Sequence, residues 1–483
     1  MGALVAIYDR RNRRNVVPKA TRMMVALSGR GSNSYGLATS DELQIYASSR
    51  QLPECQTVSP IAIGYGLDKI FSKDAVQPIT SDTTRLVFDG RIYPTEKVSD
   101  CERALSWMRS KGGGDLKCFV QEVEGTYALA AIHEDRLMVA RDLLGGKPLY
   151  WAEDEGLVAF ASEQKALWAI GLSSTRRFPP GGVCIVEKDF LSVHKTDFEK
   201  QVTVKQTDLS SAASRLSDLI AESVKKRSGD SERVAVAYSG GVDSAVVASS
   251  CKLAGLDVEL FTVAMRQNDE LEHARKSAEA MRLPLTVNQY SMPDLKQSIP
   301  EVIRRTERPN LMDLAIAVPM YWGSVLAKRK GFQTIFAGQG ADELFGGYDR
   351  YIMTYQREGL GKANDMMIKD FNMISELNLE RDEQATAGLG IELRLPFCDW
   401  TLARYVLSLP ASLKIGGAEE SLQKLVLRRA ARLQGIPSFI YERPKRAVQY
   451  GTGIAASIKF LSKQAGLSPE AYLLKIQTES ERV

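Results

Sequence analysis

Arg233-Val-Ala-Val-Ala-Tyr238, Ser239-Gly-Gly-Val-Asp-Ser244 and Ala245-Val-Val-Ala-Ser-Ser-Cys-Lys252 read in succession as a strand, a small polar turn and a helix. Gly240 and Gly241 lack Cβ atoms, so backbone N–H groups there can approach an anion closely. The helix start adds the positive end of its dipole, and Ser239 and Ser244 add hydroxyl donors. Asp243 would repel a phosphate unless a divalent cation lies between them. The Gly-Lys-Ser/Thr ending of the commoner phosphate loop is absent. A plain capped turn explains a glycine pair with a Ser or Asp cap, but explains the whole Ser-Gly-Gly-x-Asp-Ser run less well.

Further apolar strands are expected at Val258–Val263 and Thr334–Ala337, separated by helical segments, which predicts a parallel sheet. A helix starting near Ser210 places Leu216, Leu219, Ile220 and Val224 on one face. The third strand runs into Ala337-Gly-Gln-Gly-Ala-Asp-Glu343, a second Gly-rich turn whose Asp342 pairs with Asp243 as a candidate magnesium ligand. A solvated acidic turn is the bland alternative. Upstream the pattern differs. Short β-type runs at Leu4–Tyr8, Ile61–Tyr65, Arg85–Phe88, Tyr127–Ile132, Leu137–Ala140, Val158–Ala161 and Val183–Val186 read as an antiparallel or sandwich-like α+β domain. The polar, aperiodic stretch between Thr196 and Asp208 reads as a linker. The expected division is a first domain over 1–195, a linker over 196–208 and a second domain over 209–483.

The Ser239–Ser244 turn resembles the pyrophosphate loop of enzymes that split ATP between its α- and β-phosphates. With Glu392-Leu-Arg-Leu-Pro-Phe-Cys-Asp399, Gln423-Lys-Leu-Val-Leu-Arg428 and Arg443-Pro-Lys445, the second domain resembles that of glutamine-dependent asparagine synthetases and β-lactam synthetase. The resemblance implies a parallel-sheet ATP-pyrophosphatase domain behind an N-terminal-nucleophile-type glutaminase-like sandwich. It also implies an activity: a carboxylate is adenylated, pyrophosphate leaves, and nitrogen attacks the acyl-adenylate. ATP and Mg2+ are the implied cofactors. The implied ATP-binding positions are Ala237, Ser239, Gly240, Gly241, Asp243, Ser244, Val263, Ala337, Gly338 and Lys424, with Asp243 and Asp342 on the metal. Lys445 would meet charge developing on the phosphates. Gln339 stands where asparagine synthetases usually carry Glu and β-lactam synthetase Tyr. A glutamine amide takes up no proton, so Glu392 becomes the expected base.

The first domain resembles the family's glutaminase domain through Arg30-Gly-Ser-Asn-Ser-Tyr-Gly36, Asp89-Gly-Arg-Ile-Tyr93 and Ser99-Asp-Cys-Glu102. The family's nucleophile is an N-terminal cysteine thiol beside an Asn-Gly oxyanion pair. Here the corresponding positions are Gly2, Asp89 and Gly90, and Ile63-Gly-Tyr-Gly-Leu67 contains no arginine for a glutamine carboxylate. Asp100, matched to the aspartate that holds the glutamine ammonium, remains. A degenerate glutaminase site is expected, with ammonia or an amine as nitrogen donor and aspartate as the first-choice acid. A different amide, closed or joined as in β-lactam synthetase, is the second reading, and a non-catalytic nucleotide sensor is the third.

Composition is that of an ordinary globular protein: 483 residues, 44% hydrophobic and 25% charged. Lys and Arg number 63 against 59 Asp and Glu, a net +4 that gives no support for a nucleic-acid binder. Six dispersed cysteines without CxxC and only three histidines argue against disulfide scaffolds and His-based metal centres, and favour a reducing, cytoplasmic setting. No run of about 18 apolar residues predicts a membrane span. The expected partners are a small carboxylate and ammonia or an amine, with a homodimer as the candidate assembly.

Overall fold

The computed structural model describes all residues except 1, 12–13, 55–56, 82, 112–114, 189, 197–203, 205, 266–268, 417–422, 445–450 and 481–483. The chain divides into two units, Met1–Asp197 with Ala387–Gly390, and Phe198–Thr386 with Ile391–Val483. Much of the expected linker lies outside the described residues.

The first unit is built on two sheets of antiparallel strand pairs. Seven strands run in the order Arg176–Arg177, Tyr150–Asp154, Leu157–Ala161, Gly2–Asp9, Ile61–Leu67, Ser34–Ala38, Leu43–Tyr46. Six run Leu191–Lys195, Gly182–Val186, Arg136–Arg141, Gly125–His133, Thr84–Ile92, Ile79–Thr80. Strand side chains alternate between faces, and here both faces are covered. Leu4, Ala6 and Tyr8 join Ala128, Ala130 and Ile132 of the second sheet in one buried cluster. Val5 and Ile7 instead pack with Met23, Met24 and Leu167 of the helices Val17–Ala26 and Gln164–Trp168. Tyr127, Leu129 and Ala131 pack with Ala104, Met108 and Phe119 of the helices Asp100–Ser110 and Leu116–Glu122. Burial on both faces is why Leu4–Tyr8 and Tyr127–Ile132 are continuous apolar runs rather than alternating ones.

The second unit holds a five-stranded sheet in the order Leu285–Tyr290, Asp257–Met265, Arg233–Ala237, Thr334–Phe336, Glu392–Arg394. Every adjacent pair is parallel. The first strand in the chain is central, and successive strands add outward on one side and then on the other. Arg233–Ala237 and Thr334–Phe336 are neighbours at that reversal, in register Ala235↔Ile335 and Val236↔Phe336. In open parallel sheets the turns leaving two such strands at their carboxyl ends flank a crevice that takes ligands. The helix expected from Ser210 is Leu209–Ser228; Asp208 caps it by accepting N–H bonds from Ser210 and Ser211, each at 2.9 Å. Its Leu216, Leu219, Ile220 and Val224 are buried.

Candidate active site

Both Gly-rich turns leave the sheet at the reversal. After Arg233–Ala237, Ser239 and Ser244 close the first turn on itself. Their hydroxyls lie 3.2 Å apart, Gly241 N–H donates to Ser239 Oγ at 3.3 Å, and Ser244 Oγ donates to the Gly241 carbonyl at 3.1 Å. Gly240 has φ +75°, and a Cβ there would lie 2.9 Å from His273 Cδ2, so the turn requires glycine. The helix Val242–Leu253 then begins, with Asp243 in its first turn. The second turn comes equally close. A Cβ on Gly338 would lie 3.0 Å from Asp243 Cβ, so the two loops touch at that glycine.

Lys424 joins them. Its Nζ lies 2.6 Å from Asp243 Oδ2 and 2.6 Å from Asp342 Oδ1. The lysine is fully buried; burial alone would lower its pKa, but the two carboxylates outweigh that and hold it above its ordinary value. Its backbone takes φ +64° immediately before the helix Leu425–Leu433, an uncommon conformation for a side chain with a Cβ. Gly347 leaves room for the pair, since a Cβ there would lie 2.0 Å from Asp342 Oδ1 and 2.5 Å from Lys424 Cε. Glu343 turns elsewhere, accepting from Tyr348 Oη at 2.6 Å and Asn378 Nδ2 at 2.7 Å. Burial and the neighbouring Asp342 charge raise its pKa. Asp243 and Asp342 are therefore the carboxylates that converge, and two hard oxygen donors on one point fit a magnesium ion.

The other expected site residues divide. Ala237 ends its strand, and Ala337 N–H donates to the Arg394 carbonyl at 3.1 Å. Val263 lies two residues beyond the ladder pair Ala237↔Phe261, on the part of its strand that runs past the first turn. Lys445 lies outside the described residues, although Arg443 just before it is held by Glu270 at 2.9 and 3.1 Å. Glu392, the expected base, takes part in an ion-pair network. It opens its strand opposite Thr334, and its Oε1 accepts from Arg394 Nε at 2.9 Å. Arg394 in turn holds Asp230, which precedes the central strand, at 2.6 Å. That network faces the amino ends of the strands, whereas the loops leave the carboxyl ends, about 7 Å further along for two residues of strand. The carboxylate that Gln339 reaches is Asp382: Gln339 Nε2 donates to Asp382 Oδ2, and Arg381 Nε lies 2.8 Å from the other oxygen. Asp382 is fully buried in the helix Glu380–Thr386.

In the first unit, Gly2 N–H donates to Asp89 Oδ1 at 2.9 Å, and Arg30 Nε donates to the Gly2 carbonyl at 2.7 Å. Asp89 is buried with Arg30 at 3.2 Å and Lys147 at 3.6 Å. Burial would raise its pKa, but Lys147 and Arg30 hold it below its ordinary value. A Cβ on Gly2 would lie 2.0 Å from the Gly66 carbonyl oxygen and 2.8 Å from Tyr65 Cζ. Gly90 has φ +138°, with the Thr126 carbonyl 2.0 Å from where a Cβ would stand. Asp100 is engaged by Arg103 at 3.2 Å, Arg91 at 3.3 Å and Lys73 at 3.5 Å.

Two family models match the chain. The asparagine synthase model covers residues 215–361 and 354–465, over half of the 483 residues, and a glutamine amidotransferase domain model covers 67–169. The chain belongs to the asparagine synthase family. A Methanocaldococcus jannaschii protein named as a glutamine-hydrolysing asparagine synthetase is 28% identical over 92% of this chain and 93% of its own. Asparagine synthetase B of Escherichia coli is 23% identical over 85% of this chain and 76% of its own. Among solved structures, glutamine phosphoribosylpyrophosphate amidotransferase of B. subtilis aligns with 60% of this chain and 67% of its own, at 16% identity and a TM-score of 0.33, too slight a likeness to argue from. Membership of the asparagine synthase family makes the chain an enzyme of the ligase class.

For an asparagine synthase family member, two features were not legible in the sequence. Asp382 lies 43 positions from Gln339, in a segment without a motif, and only packing brings the two together. Tyr65 lies in a strand read for a missing arginine, and its ring fills the space beside Gly2. Among the described residues, no helix is long and apolar enough to cross a membrane.

Proposed function

We propose that the protein is an AMP- and pyrophosphate-forming amide synthetase that activates a carboxylate, with aspartate as the first substrate to test, and joins it to ammonia or an amine. The observation that carries this reading is the convergence of Asp243, Asp342 and Lys424 where the two Gly-rich turns meet. Asp243 and Asp342 would hold Mg2+, which would neutralise charge on the ATP phosphates. The backbone N–H groups of the Ser239–Ser244 turn would take the pyrophosphate portion, and Val263 would lie beside the base. Lys445 would stabilise charge on the leaving pyrophosphate. Asp382 would fix the Gln339 amide, leaving its Oε1 as the acceptor that orients the incoming nitrogen.

The first unit supports nitrogen donors other than glutamine. Gly2 offers no nucleophile, and Tyr65 and the Gly66 carbonyl take the space a side chain would need. Asp89 puts a carboxylate where an oxyanion would need donors, and Asp100 is already matched by Arg91, Arg103 and Lys73. The test is pyrophosphate release from ATP across a panel of acids and amines, with glutamate release from glutamine followed in parallel. The reading stands if an acid with ammonia or an amine yields AMP, pyrophosphate and amide. It fails if ATP is not cleaved between the α- and β-phosphates with any acid, or if glutamine is turned over at about 1 per second or faster.

A further inference from the structure

We propose that Lys424 is an internal counter-ion of Asp243 and Asp342 that competes with a divalent cation for the same two carboxylates, so that the metal enters only together with nucleotide. The inference rests on the reading of this site as a magnesium–nucleotide site. The geometry points to competition rather than to a lysine standing beside a metal. At 2.6 Å from one oxygen of each aspartate, the ammonium occupies the point where the two carboxylates meet. Magnesium demands oxygen ligands at about 2.0–2.1 Å, and a second positive centre at that point is repelled at short range. A bare divalent ion seated between the same two oxygens would displace the ammonium from a buried position.

Nucleotide removes that penalty. A phosphate chain lying on the neighbouring turn offers the displaced ammonium new oxygens while it supplies the metal with further ligands. Lysine suits this exchange because its charge is compact and its stem flexible. The fold fixes where the stem starts: the φ of +64° at Lys424 and the absence of a side chain at Gly347 direct the ammonium between the two loops. The result is a site that ignores free metal and assembles around the metal–nucleotide complex.

Mn2+ binding to the whole chain tests this, read by equilibrium dialysis as metal retained with the protein, with and without α,β-methylene-ATP on both sides of the membrane. Wild-type protein should bind Mn2+ weakly alone and with one-to-one stoichiometry when the analogue is present. Lys424→Met should bind Mn2+ without nucleotide at least about tenfold more tightly than wild type, because the competing charge is gone. Lys424→Arg, which keeps a cation there, should not gain that affinity, and adding Asp342→Asn to Lys424→Met should abolish the gain. Lys424→Gln takes the place of the methionine variant should that variant not fold. The proposal is overturned if wild-type protein binds Mn2+ alone as tightly as with the analogue, or if removing the lysine charge leaves the affinity unchanged while Mn2+–analogue binding persists. Absence of Mn2+ binding even with the analogue would overturn the reading of the site itself.

Discussion

Lys414 is buried and, among the described residues, has no carboxylate as a hydrogen-bond partner, so replacing it with methionine should stabilise the protein. Its Nζ donates to Asn364 Oδ1 at 3.1 Å and to the Val406 carbonyl at 3.3 Å, at the end of a short helix Ser412–Ile415. Burial lowers its pKa from 10.5 to about 7. Between those values the unfolded chain binds a proton that the folded protein does not, so stability rises with pH through that window and is lowest at and below pH 7. At about 1.4 kcal/mol per pH unit, the penalty at neutral pH is on the order of 5 kcal/mol. Methionine has similar length and no charge, but it leaves Asn364 Oδ1 without this donor, which costs about 1–3 kcal/mol. The Val406 carbonyl keeps the N–H of Leu409 at 3.1 Å. Lys414→Met should therefore raise stability by about 2–4 kcal/mol at pH 7, and the gain should shrink towards pH 10. Urea unfolding of both proteins at pH 7 and pH 10 measures it. A methionine variant less stable than wild type at pH 7, or a gain that does not change with pH, would refute the reasoning.

Five further substitutions have stated outcomes. Gly2→Cys should not create glutaminase activity, measured as glutamate release, because a Cβ there would meet the Gly66 carbonyl at 2.0 Å and the Tyr65 ring. Asp342→Asn should abolish pyrophosphate release while circular dichroism shows a folded protein; full activity in a folded variant would return the acidic turn to a solvated loop. Lys445→Ala should lower kcat by two or more powers of ten, about 2.7 kcal/mol or more, with little change in ATP affinity, as expected for a contact made in the transition state. Asp382→Asn should retain acid-dependent exchange of pyrophosphate into ATP but form little amide, whereas Glu392→Gln should chiefly lower stability through the Arg394–Asp230 network. The opposite pattern would restore Glu392 to the chemistry.

By itself, the sequence determined what is local. The strand, turn and helix around Ser239–Ser244 follow from an apolar run, two glycines and a polar helix start. Apolar runs such as Leu4–Tyr8 announced strands, and the structure added that they are buried on both faces. Tertiary structure decided what lies far apart in the chain. Asp243 and Asp342 meet because Arg233–Ala237 and Thr334–Phe336 are adjacent parallel strands whose loops leave at the same end, and Lys424, 181 positions from Asp243, reaches both from the start of the helix Leu425–Leu433. Strand order is a property of the packed sheet, and no periodicity within a strand encodes its neighbour. For the same reason the strand Glu392–Arg394 becomes definite only through its pairing with Thr334–Phe336. Asp382 reaches Gln339, and Tyr65 fills the space beside Gly2, through side-chain packing, which becomes definite only when the core is assembled.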